Sequence, residues 1–117
     1  MIGIDLIKID RMKKLIDKYD HKILDRFLSP QEITLVKNHR TAAGFWAAKE
    51  AASKALGCGI GAECGFHDIT ISKTAKGAPL LELSDKVKEQ FDIRASALSI
   101  THDGDYAIAV VTHEKRA

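Results

Sequence analysis

Ile2, Ile4 and Leu6 share one parity at the start of the chain, so residues 2–7 predict a first strand, mostly apolar and buried. One carboxylate, Asp5, interrupts it. The period then changes: Met12, Leu15, Ile16 and Tyr19 follow helical spacing behind Asp10, which is placed to cap the helix, and the pattern continues through Ile23, Leu24 and Phe27. Ser29-Pro30-Gln31-Glu32 has the form of a capping box with proline at the first helical position, opening a short helix through about Lys37. A third helix, from about Thr41 to Leu56, ends at Gly57.

Beyond the glycines of residues 57–61, Ile69 and Ile71 alternate with Asp68, Thr70 and Ser72 in a half-buried strand. The turn KGAP leads to a second strand, Leu80 to Leu83, and Ser84 caps a short helix that turns Val87 and Phe91 inward. Ser96 to Thr101 and Tyr106 to Thr112 read as two strands joined through HDGD, with Asp103-Gly104 as the hairpin turn. The order β-ααα-ββ-α-ββ implies an α+β fold with a mainly antiparallel sheet. With 117 residues and no repeat or linker, one domain over 1–117 is expected.

Composition narrows the function less than the pattern does. A net charge of +2 is too mild to announce nucleic acid or a membrane surface, and four Phe, two Tyr and one Trp leave little to stack on bases. Charge is uneven, however: between Lys8 and Arg26 seven Lys or Arg stand against four Asp, so the first helix is basic. The N-terminus has neither a signal-peptide pattern nor a membrane span, so a cytoplasmic location and no membrane contact are expected. In that setting Cys58 and Cys64 should be reduced thiols. Taken with His67 they give C-x5-C-x2-H, which lacks the paired spacing and fourth ligand of a zinc site.

The stretch FWAAKEAASKALGCGIG, residues 45–61, carries the sharpest chemistry. On a helical wheel Phe45, Ala48, Ala52, Ala55 and Leu56 form one side, the alanines implying a close neighbour, and Trp46, Glu50, Ser53 and Lys54 form the other. Glu50 and Lys54 have the spacing of an ordinary exposed ion pair. Asp5 changes that reading, because a carboxylate inside an apolar strand needs a partner, a proton or a metal. A lysine is one such partner; alternatively, Asp5 and Glu50 together make a hard oxygen site suited to Mg²⁺. GCGIG follows a helix instead of opening one, which excludes a dinucleotide fingerprint, and no Gly-Lys-Ser/Thr makes it a Walker loop. It serves as a helix cap and tight turn, or brings backbone close to a phosphate. His102 ends the strand SALSITH at the edge of a turn, where a side chain is exposed on a rigid element.

GIDLIKIDRM, FWAAKEAASKALGCGIG, FHDI with KGAP, and SITHDGDYAIAVV together resemble the holo-acyl-carrier-protein synthases among the phosphopantetheinyl transferases. The family pattern has Gly-x-Asp with an Arg six residues on, then (F/W)-x-x-K-E-A-x-x-K-A-x-G-x-G, then Ser-x-x-His and Tyr-Ala. Cys58 stands where the family often has Thr. The resemblance implies Mg²⁺-dependent transfer of 4'-phosphopantetheine from coenzyme A to a serine of apo acyl carrier protein by a homotrimer with sites at subunit interfaces. It casts Asp5 and Glu50 as metal ligands, Glu50 also as the group that helps remove the serine proton, and Lys54 as the cation at the departing phosphate. Gly57 and Gly59 give the nucleotide room, and Ser99, Thr101 and His102 are candidates for its phosphorylated ribose. Lys49, off the Glu50 face, is left a structural role. Arg11 and Lys14 on the basic helix are the expected docking points for an acidic carrier. A non-catalytic coenzyme A or carrier binder is the alternative, but it does not need Asp5, Glu50 and Lys54 together.

Overall fold

The computed structural model describes all 117 residues. Strand β1 (Ile2–Lys8) leads into α1 (Ile9–Tyr19), α2 (Lys22–Phe27), the single turn α3 (Pro30–Ile33) and the long α4 (His39–Ala55). A 3₁₀ turn at Phe66–Asp68 precedes β2 (Ile69–Lys73) and β3 (Pro79–Leu83), then α5 (Asp85–Phe91), β4 (Ile93–Asp103) and β5 (Tyr106–Lys115). The strands form two antiparallel sheets, β1-β5-β4 and the β2-β3 hairpin, so the α+β expectation holds. One cluster of buried side chains runs from Met12 and Phe27 through the alanines of α4 to Ile69, Leu81 and Val111.

The first strand faces the opposite way from the expectation. Gly3 and Ile7 turn inward toward α4 with Asp5 between them, while Ile2, Ile4 and Leu6 are 70%, 61% and 55% exposed. Gly3 is the cause: a Cβ there would lie 2.0 Å from the Ala51 carbonyl oxygen and 2.7 Å from the Ala55 nitrogen, so only glycine lets strand and helix touch. Opposite Gly3 and Asp5, β5 contributes Val111 and Ala109 to the same inner face. The apolar outer row continues across the sheet through Ile108 and Val110 to Thr101 and Ser99.

Helix α4 is not two-faced. Ala43, Ala47, Ala51, Lys49 and Ser53 are as buried as Ala48 and Ala52, because the β1-β5-β4 sheet, α1 and the β2 hairpin all rest on it. Its start is earlier than the periodicity predicts, since the Asn38 side chain accepts from the Arg40 and Thr41 amides. Gly57 takes φ +83° just past the end, the role assigned to it. The capping box at Ser29 and Glu32 forms in full and Ser84 caps α5, but α3 stops at Ile33, well short of Lys37.

Helix α1 begins after Lys8 with no side-chain cap; Asp10 lies in its first turn and pairs with Lys14 instead. The chain turns at Asp20, with φ 53°, so α2 is separate from α1 and Tyr19 points outward. At the last hairpin, Asp103 pairs with Tyr106, so Gly104-Asp105 make the turn, one residue later than expected, with Gly104 at φ +57°.

Candidate active site

The inward turn of β1 brings Asp5 to the C-terminal half of α4. Lys54 Nζ donates to Asp5 Oδ1 at 2.7 Å and to the Ile4 carbonyl at 3.4 Å. The expected Glu50–Lys54 surface pair therefore does not form, because Asp5 takes the lysine. Glu50 is left half-buried beside them with no ion-pair partner of its own. Burial first, and then the nearby Asp5 carboxylate, raise the Glu50 carboxyl above its ordinary pKa; Lys54 and Arg11 draw it part of the way back. Two carboxylates and two cations, from β1, α1 and α4, thus share one small region.

A proton acceptor with a raised pKa next to a held cation is a general-base arrangement. The same two carboxylates suit a hard divalent ion that keeps waters and takes substrate phosphate oxygens, since Mg²⁺ is commonly held by only one or two protein carboxylates. No three His, Cys, Asp or Glu side chains gather to hold a metal ion anywhere in the molecule, this site included.

The glycine loop acts first as the helix cap. The Gly57 amide donates to the Lys54 carbonyl, and the Cys58 and Gly59 amides both donate to the Ser53 carbonyl. These amides are committed within the chain, and the loop is open above them: an added Cβ at Gly57 or Gly59 meets nothing within 4 Å. Burial and Glu63 hold the Cys58 thiol above its usual pKa, and burial pushes Cys64 up to about 11, so both stay protonated at neutral pH.

The three residues expected around the ribose separate. His102 faces inward and its Nε2 donates to the Arg40 carbonyl at 3.0 Å, whereas Ser99 and Thr101 lie on the outer face of β4. His102 lines a pocket of about 160 Å³ with Thr41, Gly44 and Lys73. Lys73 escaped the sequence reading, because only the β2-β3 hairpin carries it there. Arg11 and Lys14 line a groove of about 380 Å³ on α1 with Lys8 and Lys18. Also missed was an apolar groove formed by Ile23, Trp46 and Phe66 under Arg26. Its residues come from three separate elements.

The sequence profile of the 4'-phosphopantetheinyl transferase superfamily matches residues 1–111. The chain belongs to this superfamily. It is 64% identical over 117 residues to the holo-[acyl-carrier-protein] synthase of Sulfurimonas denitrificans, covering all of this chain and 97% of that one. The corresponding enzyme of Wolinella succinogenes is 62% identical over 116 residues, 99% of this chain and 98% of the relative. Among solved structures, the Helicobacter pylori holo-[acyl-carrier-protein] synthase in complex with coenzyme A superposes with a TM-score of 0.95 at 49% identity, covering 97% of this chain and 100% of that one. The Bacillus anthracis synthase in complex with CoA (3',5'-ADP) gives 0.83 at 36% identity over 98% and 96% of the two chains.

Proposed function

We propose that this chain is a holo-[acyl-carrier-protein] synthase that works through Asp5, Glu50 and Lys54. It transfers 4'-phosphopantetheine from coenzyme A to a serine of apo acyl carrier protein and releases adenosine 3',5'-bisphosphate. The observation that carries the residue assignment is the meeting of Asp5, Lys54 and the raised-pKa Glu50 in a member of this superfamily. The serine oxygen attacks the phosphorus nearest the pantetheine arm and the bond to the departing nucleotide phosphate breaks. Glu50 takes up the serine proton, directly or through a water, and a pKa raised above the ordinary carboxylate value makes it a stronger base for that task. Lys54 sets a fixed positive charge beside the phosphates and offsets the charge that grows on the leaving oxygen. Asp5 holds Lys54 in place. Asp5 and Glu50 are also the residues that would hold Mg²⁺, which when bound supplies Lewis-acid charge to the pyrophosphate.

His102, with Lys73 and Thr41, offers the inward pocket to the phosphorylated ribose. Ser99 and Thr101 serve a nucleotide only through the outer face, which is where a second copy would lie. The bare row of Ile2, Ile4 and Leu6 supports a homotrimer with shared sites, since three large apolar side chains at one sheet face gain by being covered. Carrier docking falls to Arg11 and Lys14, with the Trp46 groove available for apolar side chains. A cytoplasmic setting fits the two free thiols, and no helix is long and apolar enough to cross a membrane. The decisive experiment incubates the chain with coenzyme A, Mg²⁺ and apo carrier protein and weighs the carrier. The expected result is a gain of one phosphopantetheine, lost in Glu50→Gln by at least roughly 100-fold in rate. An unmodified carrier with the parent chain would overturn the function, and parental turnover in folded Glu50→Gln would overturn the site.

A further inference from the structure

Glu32 and Lys49 form the one ion pair in the molecule that is wholly inside it, with side chains 2% and 0% exposed. Lys49 Nζ donates to Glu32 Oε1 at 2.9 Å and to the Phe66 carbonyl at 3.1 Å. Glu32 Oε1 also accepts from the Ser29 amide at 2.7 Å, and Oε2 accepts from the Ile71 amide at 2.8 Å. Two side chains thereby tie α3, α4, the 3₁₀ turn and strand β2 together, and no buried side-chain polar atom is left without a partner. Lys49 has no exposed atom through which to meet coenzyme A or a carrier. The backbone groups it satisfies give the pair a structural role, but buried ion pairs as such are commonly matched by apolar side chains of similar volume, so its charge calls for a further reason.

The place of Lys49 in the chain supplies a reason. It immediately precedes Glu50, about 100° round the helix, so the point where its ammonium is held sets how α4 is rolled about its own axis. With side-chain tips about 6 Å from the axis, a roll of about 20° moves the Glu50 carboxylate by about 2 Å. Misplacement by about 1 Å is enough to cost roughly 100-fold in rate. We infer that Glu32 and Lys49 are positioning residues: their buried pair fixes the roll of α4 and so holds Glu50 against Asp5. The inference rests on the role given to Glu50 above. The small side chains of α4 make the device necessary, since Gly3 and the alanines give β1 and β5 few knobs with which to index the helix.

The test compares the full chain with Glu32→Leu/Lys49→Met, which exchanges the pair for apolar side chains of similar volume. The expected variant melts lower than the parent, because the Ser29 and Ile71 amides and the Phe66 carbonyl lose their partners, yet in its folded fraction it keeps its KM for coenzyme A within about twofold and loses at least about tenfold in kcat. Trp46, the single tryptophan, sits one turn before Lys49 with its ring 5.1 Å from Phe27 and 5.0 Å from Phe66, so its emission should shift if the helix rolls. A folded double variant with parental kcat and parental emission overturns the inference, as does a kcat loss that only follows the unfolded fraction. If that variant does not fold, Lys49→Arg keeps the charge with a longer, forked head. It should lose at least about threefold in kcat at unchanged KM, and parental kcat there is equally fatal. Glu50→Gln run in parallel separates the two ideas: its inactivity beside a fully active double variant removes the positioning role alone, whereas its full activity removes the site.

Discussion

The two faces of β1 carry opposite kinds of residue for opposite reasons. The inner face is Gly3, Asp5 and Ile7, which reads poorly as a core strand, yet it lies against the most buried helix in the molecule. The outer face is Ile2, Ile4 and Leu6, which reads as core and stands in the open. Apolar character along a strand therefore marks a face that gains by being covered, without saying by what. The inner face is covered by α4 of the same chain, at a distance only glycine allows. The outer face is covered by nothing in this chain, and the proposed assembly would cover it.

The largest effect should come from the inner face. Gly3→Ala puts a methyl group 2.0 Å from a backbone oxygen that belongs to a helix interior and cannot swing aside, so strand and helix must part. We expect a loss of about 3 kcal/mol or more, measured by urea unfolding, and a fall in transfer as Asp5 leaves Lys54. A variant within about 0.5 kcal/mol of the parent would show that β1 and α4 are not locked by this contact.

Next comes the outer face. Ile4→Glu puts a carboxylate among Val110 and its neighbours in the outer row without touching the folded core of one chain. The expected result is a single-chain mass by light scattering with helix and strand content retained, together with reduced transfer. If the mass is unchanged from the parent, Ile4 is not in the assembly contact. The same logic applies more weakly to α1. Arg11→Glu with Lys14→Glu should raise the KM for carrier protein several-fold more than that for coenzyme A, since exposed charges mainly steer encounter. Arg11 also lies close enough to lower the Glu50 pKa, so a modest fall in kcat is expected too. Equal rises in both KM values would remove the docking role.

How far the sequence could be read follows from the range of each interaction. Local devices were legible: the Ser29–Glu32 box, the Ser84 cap, Gly57 past α4, and the β4-β5 hairpin to within one residue. Asp5, Glu50 and Lys54 were legible as a set because their spacing and types are unusual together, although their pairing was not. Lys54 turned to Asp5, a residue 49 positions away, in preference to the neighbour four positions back. The second role of Glu32 was hidden in the same way, since a capping glutamate gives no sign that it also holds a lysine 17 residues on. The facing of β1 could not be read from parity, because the deciding fact is the approach distance at Gly3. Asp20 adopts a left-handed φ that ends α1 in the middle of an unbroken apolar pattern, and we have no physical account of why the break falls there.

The smallest effect belongs to the far end of the inner face, on β5 beside the N-terminus. His113 is buried; its Nε2 donates to the Ala52 carbonyl of α4 at 2.9 Å, which leaves Nδ1 to accept from the Ser96 hydroxyl at 2.7 Å. Acceptance from Ser96 needs the neutral ring, whereas donation to Ala52 survives protonation. Burial, and to a lesser degree the nearby N-terminal ammonium, hold its pKa below the ordinary 6.5, with the Ala52 carbonyl acting the other way. The folded state then resists a proton that the unfolded chain accepts, so stability from this group is complete above about pH 6.5 and declines as the pH falls below it. His113→Gln keeps a donor for Ala52 but cannot titrate. Its thermal midpoint should be lower than the parent's at pH 8, and the gap should narrow between pH 7 and pH 5. Parallel curves for the two proteins would mean that His113 takes no part in the acid sensitivity of the fold.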